Sequence, residues 1–293
     1  MLQLPSFLPI SLLALSLSGC GLFPKTVKVG SKNSATQMVI AEIAAQHLES
    51  KGFKVVRRIG MGNTAIVHQA TLGGDIDIYP EDTGTALAAM LKENPIPDLD
   101  AQYERVRNEY ERLYGLRVIK PIGASNRPVA LVSETLAAKE KLNTLSEAAA
   151  SPVLWRIGSP EEFSIRPDGM QGLSSRYRLQ QKEALRLMEA PNLYQALQDG
   201  QLDMIVVNES DGILGSKGVR ALQDDKGLFT PGQLCLLARK DTLSAVPSLE
   251  GALSALSGKV PTEALRALNK QVELDKRSVA DVAAEFLKSA GLR

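Results

Sequence analysis

Alternating and helically spaced apolar positions divide the chain into short strands and amphipathic helices. Val27-Lys28-Val29 has the two-residue period of a strand. From Ser34 the period lengthens, and Val39, Ile40, Ile43, Ala44, His47 and Leu48 recur on one helical face. Ser34 and Gln37 have the spacing of a capping box, and Lys51-Gly52 ends the helix. His47 belongs to the packed face or its edge. Residues 53–59 read as a strand, and Gly60-Met61-Gly62-Asn63-Thr64 as a turn into the next helix. That turn suits either an anion at a helix amino terminus or simply a backbone that needs glycine. Residues 84–92 are predicted helical, and Pro95 and Pro97 break the chain. Residues 100–114 carry Tyr103, Val106, Tyr110 and Leu113 on one stripe, which reads as core. Strands are expected at 118–119, 129–132 and 153–158. The tail, 247–292, reads as helices without evident chemistry.

One segment occurs twice. HQATLGGDIDIYPEDTG (68–84) aligns with YQALQDGQLDMIVVNESDG (194–212). Gln69, Ala70, Gly74 and Asp77 meet Gln195, Ala196, Gly200 and Asp203 at an offset of 126 residues, and two extra residues then enter the second copy. Each copy reads as a helix end, a glycine turn, an apolar strand and an acidic turn. Two α/β lobes are expected, with ligand collecting outside the carboxyl ends of the strands. The acidic turns, Tyr79-Pro80-Glu81-Asp82-Thr83 and Asn208-Glu209-Ser210-Asp211, would then face one another across a cleft. The chain crosses between lobes near GASNRP (123–128) and returns near Leu228–Leu237. Two crossings suit hinge closure around a ligand.

At 293 residues the chain fits two lobes of ordinary size. Its net charge of +1 implies no general attraction to nucleic acid or anionic lipid. Two histidines and two cysteines leave little for a metal centre. Residues 7–17 are apolar but short for a bilayer span, and they lead into Leu17-Ser18-Gly19-Cys20. This order matches a bacterial lipoprotein processing box: residues 1–19 as signal peptide, Cys20 lipidated and 20–26 as tether. Residues 1–10 lack the usual Lys or Arg. Cys235, in the apolar run LCLLA, is read as buried.

Five blocks then resemble a known family: VGSKNSATQ (29–37), GGDIDIYPEDTGTAL (73–87), IRPDGMQGL (165–173), LYQALQDG (193–200) and LSGKVPTEALRALNKQV (256–272). The chain resembles the substrate-binding proteins of osmoprotectant ABC transporters, which bind quaternary amines such as glycine betaine, choline and carnitine. The resemblance implies an α/β, two-lobed periplasmic-binding-protein fold, type II-like, with two interlobe hinge crossings. Residues 27–126 and 231–293 would form lobe one and 127–230 lobe two. It also implies binding without catalysis, no cofactor and no metal. The partners would be a small amine solute, an ABC permease and its ATPase, with membrane contact through the lipid anchor only and no nucleic acid. The location would be extracytoplasmic, in the periplasm or at the cell surface.

By the same resemblance Tyr79 and Tyr194 would cage an ammonium by cation–π contact. Arg166 would hold a carboxylate, and Lys32 lies in the first cleft-facing loop. Gln37, Thr83 and Asp211 follow by position. Pro128 and Asn208 stand where the family usually has tyrosines, while Asp82 and Glu209 add negative charge. This points away from glycine betaine towards a larger polar cationic or zwitterionic amine, ergothioneine among them. Each candidate has a structural alternative: Arg166 pairing with an acid of its own turn, Tyr194 as a core residue, Asp82 as a helix cap. For function, the alternatives are a sensory ligand-binding module or an enzyme on a two-lobed scaffold.

Overall fold

The structure, a computed structural model, describes residues 26–293. Cys20, the apolar run before it and residues 21–25 of the tether lie outside the described residues, while Thr26, read as the end of the tether, already belongs to the first strand. No helix among the described residues is long and apolar enough to cross a membrane.

Two sheets form, each in its own lobe. The first contains β1 (Thr26–Gly30), β2 (Lys54–Arg58), β3 (Ile78–Asp82), β4 (Leu116–Val118), β5 (Ser125–Asn126) and β11 (Gly232–Arg239). Its order is β2-β1-β3-β11-β4, with β5 also pairing β11. The second contains β6 (Pro128–Ser133), β7 (Ile157–Ser159), β8 (Arg186–Leu187), β9 (Met204–Asn208) and β10 (Val219–Leu222), in the order β10-β6-β9-β7-β8. The chain passes from the first sheet to the second between Asn126 and Pro128, and returns between Leu222 and Gly232. This is a mixed α/β fold of two lobes joined by two crossings.

The duplicated segment is a duplicated structure. Its helices, Thr64–Leu72 and Ala190–Gln198, and its strands, β3 and β9, keep the same offset at both ends. Gly74 and Gly200 both take positive φ, 80° and 66°, as the tight turn between helix and strand demands. Asp77 Oδ2 accepts from Lys28 N at 2.8 Å, and Asp203 Oδ2 accepts from Arg156 N at 3.0 Å. Each aspartate therefore ties its turn to the strand segment alongside. Each repeat strand then runs parallel to one neighbour (β1 or β7) and antiparallel to a strand that adjoins a crossing (β11 or β6).

Helix Ala35–Ser50 packs Val39, Ile40, Ile43 and Leu48 against one face of the first sheet and against the C-terminal helices Thr262–Glu273 and Val279–Ser289. His47 is buried on this helix, with Nδ1 2.6 Å from Leu292 O. The other face is covered by helix Leu99–Tyr114, where Val106 and Tyr110 are core as expected. Residues 84–92 form no regular α-helix: a single turn, Thr83–Thr85, widens into π-helix over Ala86–Leu91. Leu87 O accepts from both Lys92 and Glu93, which closes the wider turn. The strand expected at 153–158 begins only at Ile157. Trp155 is instead anchored by its indole N–H, which donates to Ala148 O at 3.2 Å. Cys235 is buried.

Candidate functional site

A cavity of about 210 Å³ lies between the two lobes. Lobe one supplies Lys32, Gln37, Asp82 and Glu273; lobe two supplies Arg166, Glu189, Asn208 and Asp211. These side chains converge because β3 and β9 both end here. Asp82 closes β3, and Asp211 follows β9 by three residues. The lobes are apposed: Thr36 Oγ1 meets Ser210 Oγ at 3.1 Å, and Gly212 N donates to Glu273 Oε2 at 2.8 Å.

A buried polar chain runs beneath the cavity. Asn269 Nδ2 donates to Thr36 Oγ1 at 2.7 Å and to Ser210 O at 2.8 Å. Ser210 Oγ donates to Asn126 Oδ1 at 2.8 Å, and Asn126 Nδ2 donates to Asp82 Oδ2 at 3.3 Å. Asp82 also accepts from Thr85 N at 2.7 Å, so it caps the turn that follows it. The capping alternative for Asp82 therefore holds, and Asp82 lines the cavity as well.

Lys32 Nζ sits 2.7 Å from Glu81 Oε1 and 3.2 Å from Thr64 Oγ1. Across the cleft it lies 3.6 Å from Glu162 Oε1 of lobe two. Burial alone would lower the lysine pKa, but Glu81, Glu162 and Asp82 outweigh it and hold it above the usual lysine value. Burial pushes Glu81 up to about 7, against the pull of Lys32. The glycine turn at 60–64 meets an anion supplied by the protein itself: Asn63 Nδ2 donates to Glu161 Oε2 at 3.1 Å.

Arg166 lines the cavity but is already engaged. Its Nε and Nη2 donate to Asp168 at 2.8 Å each, and Nη2 also reaches Thr230 O at 3.0 Å. The alternative of pairing within its own turn describes it. Burial opposes the charge, yet Asp168 keeps the guanidinium above its ordinary value. Arg166 passes close to the chain at Gly84, where an added Cβ would lie 2.9 Å from Nη1.

Ser34 gives no side-chain cap, so the capping box with Gln37 does not form. Gln37 is 2% exposed, lines the cavity and leaves Oε1 without a partner. The first turn of a 16-residue helix therefore borders the cavity without a side-chain cap.

Four sequence candidates lie elsewhere. Tyr79 is fully buried on the far face of the first sheet, with its hydroxyl 3.1 Å from His68 Nδ1. Both faces of that sheet are covered by helices, so alternation along β3 sends Tyr79 into a core instead of a cleft. Burial lowers His68 to about 4 and raises Tyr79 well above its ordinary value. Thr83 Oγ1 donates to Gln102 and accepts from Gln233 N at 2.9 Å, within lobe one. Tyr194 packs against the cluster of Leu193, Leu197 and Ile205, and its hydroxyl donates to Lys217 O at 3.2 Å. Glu209 turns to the crossing, accepting from Arg127 N at 3.2 Å. No tyrosine lines the cavity among the described residues; Phe163 is the one aromatic there. It meets Phe229 edge-on, with ring centroids 5.9 Å apart.

Sequence reasoning missed Asn126, Glu162, Phe163, Glu189 and Glu273. Glu273 ends helix Thr262–Glu273 in the tail that was read as lacking chemistry. Burial raises Glu273 to about 8, and the neighbouring Asp211 adds to the rise. Asp211 is raised to about 7, first by burial and then by Glu189 and Glu162, although Asn208 N donates to its Oδ2 at 2.8 Å.

Comparison with known proteins fits this architecture. The family described as the substrate binding domain of the ABC-type glycine betaine transport system matches residues 25–289. The chain belongs to this family. Members are substrate-binding proteins of ABC transporters, so the task of this chain is binding without turnover. The ergothioneine transport permease/ergothioneine binding protein EgtU of Helicobacter pylori is 30% identical over 92% of this chain; the match spans 48% of that protein, about half its length. The carnitine transport binding protein OpuCC of Listeria monocytogenes is 29% identical over 93% of this chain and 90% of its own. A crystal structure of a glycine betaine/carnitine/choline ABC transporter protein superposes with a TM-score of 0.74. It is 26% identical and covers 91% of this chain and 99% of that one.

Proposed function

We propose that the chain is the extracytoplasmic solute receptor of an ABC importer and captures a betaine-like or related polar amine in the interlobe cavity. The observation that carries this reading is the cavity itself: both acidic turns of the repeat end at one space lined from both lobes. The uncapped first turn of helix Ala35–Ser50 offers amide N–H groups and positive dipole to a ligand carboxylate. Gln37, Asn126 and Asn208 add neutral polar groups, and Phe163 adds one ring face. Delivery requires a permease and an ATPase as separate partners. A lipid on Cys20 would hold the receptor at the membrane.

A thermal-shift screen of the full chain tests the solute class. Choline, glycine betaine, carnitine and ergothioneine are compared with common amino acids. At least one of the four amines should raise the melting temperature by mass action. Shifts from amino acids alone would overturn the reading. The anchor has its own test: Cys20→Ser should abolish lipid labelling and release the protein from membranes. Normal labelling in that variant would remove the lipoprotein assignment.

A further inference from the structure

The charges lining the cavity do not balance. Its acids are Asp82, Glu162, Glu189, Asp211 and Glu273, and its bases are Lys32, Arg166 and Lys276. Each base already has a partner. Lys32 is held by Glu81 with Glu162 beside it, and Arg166 by Asp168. Lys276 Nζ donates to the backbone carbonyl of Glu273 at 2.6 Å, leaving the carboxylate aside. Among the described residues no ion pair reaches Asp211, Glu273 or Glu189. Asp211 and Glu273 are 5% and 4% exposed, so each is buried with no cation in ion-pair contact, although Lys276 lies near Glu273.

A buried acid cluster alone could be structural. Gln37 points the other way: it lines the same space, is 2% exposed, and its Oε1 is unpartnered. An acceptor left open in the same cavity as two buried carboxyls that no ion pair reaches suits a ligand with N–H donors. A trimethylammonium head offers none, and Phe163 alone makes a poor cage for it.

We propose that Asp211, Glu273 and Gln37, with Glu189 alongside, form an acceptor subsite for a cationic head that carries N–H groups. This rests on the reading of the cavity as an amine site and goes further by naming the head. Binding ionises the pair, so each cation that enters displaces protons from it to solvent. The groups facing the pair are Glu189 and Glu162 from lobe two, Lys276 beside Glu273, and the amides of Asn208 and Gly212. In the free protein burial raises both Asp211 and Glu273, and each member of the pair titrates with the other, so affinity for a cation should rise as pH rises through the titration of the pair.

Matched probes isolate the N–H group. Protonated dimethylethanolamine differs from choline by one N–H in place of a methyl, and dimethylglycine differs from glycine betaine in the same way. Calorimetry on the full chain, in two buffers of different ionisation enthalpy, reads affinity and proton release together. Dimethylethanolamine should bind roughly tenfold tighter than choline or better, and dimethylglycine tighter than glycine betaine, each with net proton release near neutral pH. Glu273→Gln keeps an acceptor for Gly212 N, and with Asp211→Asn it should erase both the preference and the release. A folded variant is verified by its melting curve, and Gln37→Ala supplies an independent loss of preference. Equal or tighter binding of the quaternary probes, or no proton release, would overturn the subsite while leaving the amine reading intact. Failure of all four probes to bind, with no thermal shift from carnitine or ergothioneine either, would overturn both.

Discussion

Gly212→Ala is expected to force the two lobes apart where Gly212 packs on helix Thr262–Glu273. A Cβ at Gly212 would sit 2.3 Å from Lys270 N, 2.4 Å from Lys270 Cα and 2.8 Å from Asn269 C. All three are backbone atoms of helix Thr262–Glu273, so no side-chain rotation relieves the clash. Gly212 does not have a positive φ, so alanine suits its local conformation and the penalty comes from apposition. Separating loop and helix would break the Gly212–Glu273 and Asn269–Ser210 hydrogen bonds. Overpacking typically costs about 1–3 kcal/mol, and each buried donor left unpaired adds about 1–3 kcal/mol. The variant should melt earlier, give a larger radius of gyration in solution scattering and lose most of its ligand affinity. Wild-type scattering and affinity would show that this contact does not govern the cavity.

Lys32→Met is expected to be the most destabilising change at the cavity wall. It strands Glu81, which is 1% exposed and whose Oε2 already lacks a partner. Breaking a buried pair from one side costs about 3–5 kcal/mol. The sign with pH follows from Glu81, whose folded pKa of about 7 lies above its ordinary 4.5. Below the unfolded pKa Glu81 is protonated in both states and its charge costs nothing. The loss then grows as pH rises through the folded pKa, which removal of Lys32 moves higher still. Denaturant unfolding at about pH 5 and about pH 8 should show a much larger deficit at the higher pH. Adding Glu81→Gln should recover most of it. A deficit independent of pH would mean that Lys32 stabilises by packing alone.

The fold was legible because it rests on local signals. The shift from a period of two to 3.6 marked β1 and helix Ala35–Ser50, and the duplicated helix, glycine turn and strand carried the two-lobe architecture. Apart from Arg166, the site was legible where a residue lies at the end of a repeat strand or at the start of the first helix. Lys32, Gln37, Asp82, Asn208 and Asp211 are such residues, and all line the cavity. Tyr79 and Tyr194 lie away from the cavity for a common reason. Aromatic character and block position are visible in sequence, whereas which sheet or helix face is covered by another helix is a tertiary fact. Arg166 satisfied its local alternative with Asp168 two residues on, a pairing the turn sequence itself offered. Glu273 had no local signal, because only the return of the C-terminal helices to lobe one brings it beside Asp211.

The central claim is that solute sits in the interlobe cavity and is read by its acids, with no tyrosine cage. A calorimetric titration of the tightest-binding amine among the screened solutes and the matched N–H probes tests this most directly. It compares wild type with Asp211→Asn, Gln37→Ala, Tyr79→Phe and Tyr194→Phe. The account predicts one solute per chain, affinity reduced roughly tenfold or more by the first two changes, and little effect of either tyrosine change. Loss of binding in Tyr194→Phe, with Asp211→Asn and Gln37→Ala binding like wild type, would contradict it.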